Sequence, residues 1–272
     1  MHQRDSFTEP INYRDNGLIA IDSLDRNLVA YPEANDYVIK LPENIRNVDA
    51  IELLSLQMTR SETNVHSGNN TFYINDIIVT LTVQEISSGA NLATEMQTQI
   101  RTATSDNNYS VSYTNNRIVI SHSAQDFIIT TSEGFARLSG IYGTGERGAG
   151  TISSGTVTPL TLTASRPIDL NGTPYVVISI NDYGKITSPS QALQKSFITV
   201  PMENKAVGNR FMISGNEKEN RGSIYILSNN QKNIFEFRIK ITRPDGSLYT
   251  TDGTDHIFMF RILRNSYHDY NS

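Results

Sequence analysis

From Tyr175 to Leu263 the chain repeats one pattern: a short run of β-branched, aliphatic or aromatic residues, then a turn signal. The runs are Tyr175–Ile180, Ser196–Val200, Arg210–Ser214, Ile224–Leu227, Ile234–Thr242 and Ile257–Leu263. Between them stand Asn181-Asp182-Tyr183-Gly184, Pro201, Gly215-Asn216, Asn229-Asn230 and Pro244-Asp245-Gly246. Runs this short, so punctuated, build an antiparallel sandwich or jelly roll. Within them Phe235 and Phe237, then Phe258 and Phe260, alternate with other residues. Alternation predicts that these rings fill the core, each contributing about 1.5–3 kcal/mol, while Glu236, Arg238 and Lys240 face solvent or an interface. No repeat of 20–50 residues is visible, which argues against solenoids and propellers.

The first half reads differently. Residues 1–17 are charged, contain a proline and end at Asn16-Gly17, the composition of an extended N-terminal arm. Two apolar runs, Leu18–Ile21 and Tyr37–Leu41, flank a polar loop with turn-forming Asp22, Asp25 and Asn35 and with Pro32, which cannot donate to a ladder. In Val48–Met58 the alternation is imperfect, and a buried strand is favoured over a short helix. Asn64–Thr71 reads as a loop, and Phe72–Ile74 and Ile77–Val83 as strands joined by a turn at Asn75-Asp76. Leu92, Met96, Ile100 and Ala103 recur at helical spacing and predict a helix over Asn91–Thr104. A hairpin, Tyr109–Tyr113 and Arg117–Ser121 around Asn115-Asn116, follows, then a strand at Phe127–Thr130 and a helical turn in Ser132–Ser139. Gly140–Gly155 is a glycine-rich loop and Pro159–Leu170 an extended segment. The expectation is a mainly β chain: a jelly-roll-like sandwich over 18–272, with a helix-and-hairpin insertion at about 85–145 whose helix-bearing part is about 89–140.

Composition narrows the function. A net charge of −5 with scattered Lys and Arg argues against a general nucleic-acid binder. The chain has no cysteine, which excludes disulfides, thiolate metal sites and a cysteine nucleophile. The polar N-terminus lacks a signal-peptide core and no apolar run approaches the ~20 residues of a membrane span, so a soluble protein that folds inside the cell is expected.

Each motif that carries chemistry elsewhere fails on context. Gly143, Gly145 and Gly148 match a dinucleotide fingerprint, but Thr151–Thr163 is β-branched and broken by Gly and Pro, with no helix to receive a pyrophosphate. The five histidines show no metal-ligand spacing, and His256 reads as a strand-end residue. Asp245, Asp252 and Asp255 do not fit an EF-hand loop and read as a hairpin connection. No G-x-S-x-G elbow occurs. No catalytic residue, metal or cofactor is expected.

One segment carries a family likeness. D-S-x-D-R (Asp22, Ser23, Asp25, Arg26), then Tyr31-Pro32, then N-D-Y-V-I-K-L-P (Asn35–Pro42), followed by the Val48–Met58 strand, resembles capsid-associated proteins of nucleocytoplasmic large DNA viruses. The helix, the hairpin and F-A-R-L-S-G-I-Y-G (Phe135–Gly143) extend the resemblance over about 18–145, with Ile141-Tyr142 in place of the family's Gly-Phe. The resemblance implies a non-enzymatic virion structural protein folded in the host cytoplasm, a minor capsid protein contacting capsomers or a pentameric vertex (penton) protein. Its implied partners are the major capsid protein and other capsid subunits, in a homo-oligomer or multi-subunit assembly, with no specific nucleic acid. Asp22, Ser23, Asp25, Arg26, Tyr31 and Pro32 are then a structural loop, with an Asp25–Arg26 ion pair expected to fix it. A surface fibre binding host glycan through the Gly140–Gly155 loop is the alternative from another class.

Overall fold

The computed structural model describes residues 13–143, 150–153, 160–181, 183–184, 186–194, 196–202, 205–214, 224–227 and 232–265. The chain is mainly β, and every strand pairing among the described residues is antiparallel. It divides into two units, Met1–Ser61 with Tyr175–Ser272, and Glu62–Pro174. The segment expected as a helix-and-hairpin insertion, 85–145, falls inside the second.

The first unit is a jelly-roll-like sandwich of two sheets. One contains β1 (Tyr13–Asp22), β16 (Ile257–Asn265), β3 (Ala50–Thr59) and β13 (Arg210–Ser214) in that order, with β14 (Ile224–Ile226) also on β3. The other runs β12 (Ile198–Pro201), β11 (Tyr175–Ile180), β15 (Lys232–Thr242), β2 (Asp36–Val48). Ile51, Leu56, Phe258 and Phe260 from the first sheet and Tyr37, Ile178, Phe237 and Ile239 from the second belong to one core. Phe237 and Phe260 stack across it with centroids 5.3 Å apart. Of the segment expected as an arm, residues 1–12 lie outside the described residues and Tyr13–Gly17 open β1.

Bulges explain where simple alternation misleads. In β3 the pairing skips Leu54, since Met259 faces Ser55 and Phe260 faces Leu53. The extra residue re-phases the strand, so Ile51 and Leu53 point inward before it and Leu56 and Met58 after it. A second irregularity lies between Ile234 and Glu236 in β15. It turns both Ile234 and Phe237 inward and leaves Phe235 55% exposed, correcting the expectation that Phe235 fills the core. Opposite that irregularity, β2 moves from Lys40 to Ile45, so Pro42 sits where no ladder donor is required.

Among its described residues the second unit has two sheets and two helices. One sheet runs β5 (Ile77–Thr80), β4 (Thr71–Ile74), β8 (Ile128–Thr131), β9 (Gly150–Ser153), and the other β10 (Leu160–Thr163), β7 (Arg117–His122), β6 (Tyr109–Thr114). The two expected hairpin turns form at Asn75-Asp76 and Asn115-Asn116, where all four residues take positive φ. Helix α1 (Gly89–Thr104) starts two residues earlier than its apolar spacing indicates, because Ser88 is its cap and accepts from the Asn91 amide. Leu92, Met96 and Ile100 bury its inner stripe. A Cβ at Gly89 would stand 2.4 Å from the Tyr113 ring, so a larger residue there would force that ring to move. Helix α2 (Glu133–Ser139) is capped by Ser132 and ends at Gly140, φ +73, and its Phe135 stacks on Phe72 at 4.2 Å. Of the glycine-rich stretch, residues 144–149 and 154–155, with Gly145 and Gly148, lie outside the described residues.

The Asn64–Thr71 loop is a buried hydrogen-bonded knot. Asn64, 1% exposed, donates from Nδ2 to the carbonyls of Ile86 and Leu170 and accepts from the Ile86 amide. Asn69 donates to the Asn64 carbonyl and accepts from the His66 amide. Thr173 donates to the buried Glu62 carboxylate at 2.6 Å. These bonds fasten the start of the second unit to its end and satisfy backbone groups that no strand pairs.

Candidate functional site

The loop between β1 and β2 is built by local turn chemistry and then locked from a distance. Asp22, in extended conformation at the end of β1, accepts from the Leu24 amide and caps a 3-10 turn over Ser23–Asp25. Asn27 repeats the device, its Oδ1 accepting from the amides of Val29 and Ala30 while its carbonyl accepts from the Tyr31 amide. These turns bring Arg26 under the loop, where it is 8% exposed.

Arg26 makes four bonds with one guanidinium. Nη1 donates to Asp255 Oδ1 at 2.7 Å and to the Ser23 carbonyl at 2.7 Å. Nε donates to the Tyr31 carbonyl at 3.0 Å and Nη2 to the Pro32 carbonyl at 3.1 Å. The planar fork suits this task, because its donors diverge in fixed directions. Tyr31 and Pro32 thus contribute backbone oxygens, and Pro32 also restricts Tyr31 to extended conformations.

The expected Asp25–Arg26 ion pair is corrected: the partner of Arg26 is Asp255, 229 positions away, while Asp25 is exposed. Adjacent residues at the end of a 3-10 turn project to different sides, so only Arg26 turns toward the sandwich. Ser23, fully buried, completes the junction. Its hydroxyl donates to Asp255 at 2.8 Å and accepts from the His256 amide at 3.0 Å, and its own amide donates to the His256 carbonyl at 2.9 Å.

Beyond Pro32 the attachment continues. Thr251 donates to Glu33, Asn35 donates from Nδ2 to the Tyr249 carbonyl, and the Ile241 amide donates to the Asn35 carbonyl. Tyr37 OH and His256 Nε2 share a buried hydrogen bond of 2.8 Å. Burial pushes the His256 pKa down to about 4, the nearby Arg26 charge acting in the same direction and Asp255 opposing it. Burial likewise raises the Tyr37 hydroxyl, so both members of that bond are neutral near neutral pH.

The sequence reading missed Asp255, His256, Tyr37 and Asn35 as parts of this site. A signal was present: Asn27–Tyr31 is uncharged, so Arg26 needs a counter-charge from one side or from afar. Asp25 offered the near answer and hid the distant one.

What the anchored loop presents is apolar. Leu24 is 61% exposed, Leu28 58% and Val29 95%. The clamp fixes the backbone beneath these side chains, so ordering entropy is already spent before any contact is made. Among the described residues no three His, Cys, Asp or Glu side chains gather closely enough to hold a metal ion. No helix among them is long and apolar enough to cross a membrane.

Residues 11–133 match the model of a family described as a family of unknown function (DUF5901). The matched span holds the anchored loop and falls short of half the chain. No curated protein matches the sequence. Among solved structures the chain is similar to the crystal structure of the selenomethionine-labelled mavirus penton protein, at a TM-score of 0.46 and 9% identity, over 91% of this chain and 99% of that one. A likeness that loose carries neither fold nor function across.

Two outcomes follow from the clamp. Arg26→Met removes four donors and leaves Asp255 and the Tyr31 and Pro32 carbonyls without them, which lowers stability by about 3 kcal/mol. Asp25→Ala shifts it by less than about 0.5 kcal/mol; urea unfolding midpoints of the two variants distinguish them. For His256, whose folded pKa of about 4 lies below its unfolded 6.5, the unfolded chain binds the proton first as pH falls. Its contribution is nil above pH 6.5 and becomes a destabilisation of up to about 3 kcal/mol as pH drops toward 4. His256→Gln, which cannot titrate, flattens that part of the stability–pH curve.

Proposed function

We propose that this chain is a non-enzymatic structural protein of a virion, a minor capsid protein that contacts capsomers in an icosahedral large DNA virus. The reading rests on the anchored loop. Of the residues that carry the family resemblance, Arg26 bonds the carbonyls of Ser23, Tyr31 and Pro32, Asp22 caps the turn that places it, and Asp25 stands exposed beside them. Their joint effect is mechanical: they hold Leu24, Leu28 and Val29 out from the sandwich. A contact protein needs such a feature, an apolar anchor on a stiff support, to fill a pocket on a neighbouring subunit.

The polar chemistry at the loop is consistent with that role. Asp255 accepts from Arg26 and Ser23, and His256 is engaged with Tyr37 and Ser23. These groups are spent on holding the chain together, and a reacting group would need a free, aimed position. The partners of this reading are the major capsid protein and neighbouring capsid subunits, and its location is the virion.

The experiment is incorporation. Leu28→Asp with Val29→Asp changes exposed side chains only and leaves the unfolding midpoint near that of the parent protein. In particles assembled with this variant, the protein is expected to fall to background by quantitative mass spectrometry of purified capsids. Incorporation at the parent level would remove the loop from the contact, and absence of the parent protein from particles would end the capsid reading.

A further inference from the structure

The loop that presents Leu24, Leu28 and Val29 is also where the chain gathers its negative charge. Residues 18–35 hold Asp22, Asp25 and Glu33 against a single base, Arg26, and residues 249–256 add Asp252 and Asp255 with no Lys or Arg. Those five carboxylates and one guanidinium leave −4, where the whole chain carries −5. The fold brings the two segments together: Asp255 accepts from Ser23 and Arg26, and Thr251 donates to Glu33 at 3.0 Å. The one base does not reach the surface, since Arg26 is buried and bonded to Asp255. Arg243, which donates to Thr250, is buried as well.

The carboxylates flank the apolar side chains on both sides. Asp25 follows Leu24 directly, three positions before Leu28, and Glu33 comes four positions after Val29. Both are exposed, as is Asp252 beside Thr251, while Asp22 and Asp255 sit half-buried at the base of the loop. The exposed base Arg210 lies on β13, three strands across the sheet from β1. An apolar tip with an acidic collar therefore stands on a backbone that the Arg26 clamp holds fixed.

We propose that this tip docks into an apolar pocket of a different protein whose rim carries lysine and arginine. The inference rests on the contact role proposed for the loop and adds the chemistry of what it meets; the partner need not be a capsid subunit. Charge selects the occupant. A second copy meeting loop to loop would set −4 against −4, and anionic lipid and nucleic acid are repelled in the same way. An uncharged pocket would accept Leu28 and Val29 but would strip water from the collar carboxylates without offering them a partner. A basic rim meets both needs. It steers the encounter and fixes the orientation, while the apolar side chains at the centre carry the affinity.

The test reverses charge without touching the apolar tip. Asp25→Lys and Glu43→Lys alter the net charge equally at exposed positions, one in the collar and one on β2 beyond Pro42. In particles assembled from isotope-labelled parent and unlabelled variant together, mass spectrometry is expected to find Asp25→Lys depleted about threefold or more, and Asp25→Lys with Glu33→Lys about tenfold or more. Glu43→Lys stays at parity with the parent. Asp25→Lys alone leaves every bond of the clamp in place, so its loss is not a loss of folding, and urea midpoints check this. A second arm needs no particle: in extracts of cells that make the full chain with its partners, a carbodiimide joins carboxylates to lysine amines. Asp25, Glu33 and Asp252 are expected to link to lysines of one other protein, and the links vanish with Leu28→Asp and Val29→Asp. Links of that kind from a protein absent from particles would end the capsid reading and support this one. Parity of the collar variants, where Leu28→Asp with Val29→Asp is lost, would overturn the basic rim and leave the capsid contact standing. Links only to a second copy of this chain overturn the proposal, and so does a collar that neither links nor, when reversed, changes incorporation.

Discussion

The contact between Arg26 and Asp255 joins the exit of β1 to the entry of β16, strands that already pair along their length. At that point the sheet stops and the chain must turn away, leaving backbone groups that no ladder satisfies. The guanidinium answers the geometry with bonds in three directions, to a carboxylate, to a turn carbonyl and to the returning strand of the loop. Breaking it would leave Asp255 with only the Ser23 hydroxyl and take their side-chain donor from the Tyr31 and Pro32 carbonyls, so the cost is set by those lost bonds rather than by the ion pair itself. The apolar tip is held only as firmly as this junction.

The same economy recurs in the second unit with neutral groups. Asn64 does for the Glu62–Pro174 unit what Arg26 does for the sandwich: one side chain collects backbone groups from segments far apart in sequence. In both places the apolar cores supply the bulk of the driving force. The polar knots decide which strands lie where, since an unsatisfied alternative would be costly.

Much of the fold was legible because its signals are local. The turns at Asn75-Asp76 and Asn115-Asn116, the stripe on α1 and the strands Tyr175–Ile180 and Arg210–Ser214 follow from residues within a few positions of one another. What was not legible depended on partners elsewhere. Phe235 faces outward because of a bulge set by the opposing strand, and nothing in its own neighbourhood marks that. The Asn-rich stretch at Asn64–Thr71 has a loop's composition and a buried position, since its polar atoms are paired inside the unit. The carboxylate that holds Arg26 belongs to Asp255, 229 positions away and beyond the reach of any local signal.

The claim that a side-chain junction makes this loop as firm as the sandwich is tested most directly by amide hydrogen exchange. The Ser23 and His256 amides bond each other's residue, to the His256 carbonyl and the Ser23 hydroxyl. If the junction is part of the cooperative core, both exchange only through global unfolding, with the same protection as the Phe258 and Phe260 amides of β16. Exchange of Ser23 and His256 through a far cheaper local opening would contradict the account.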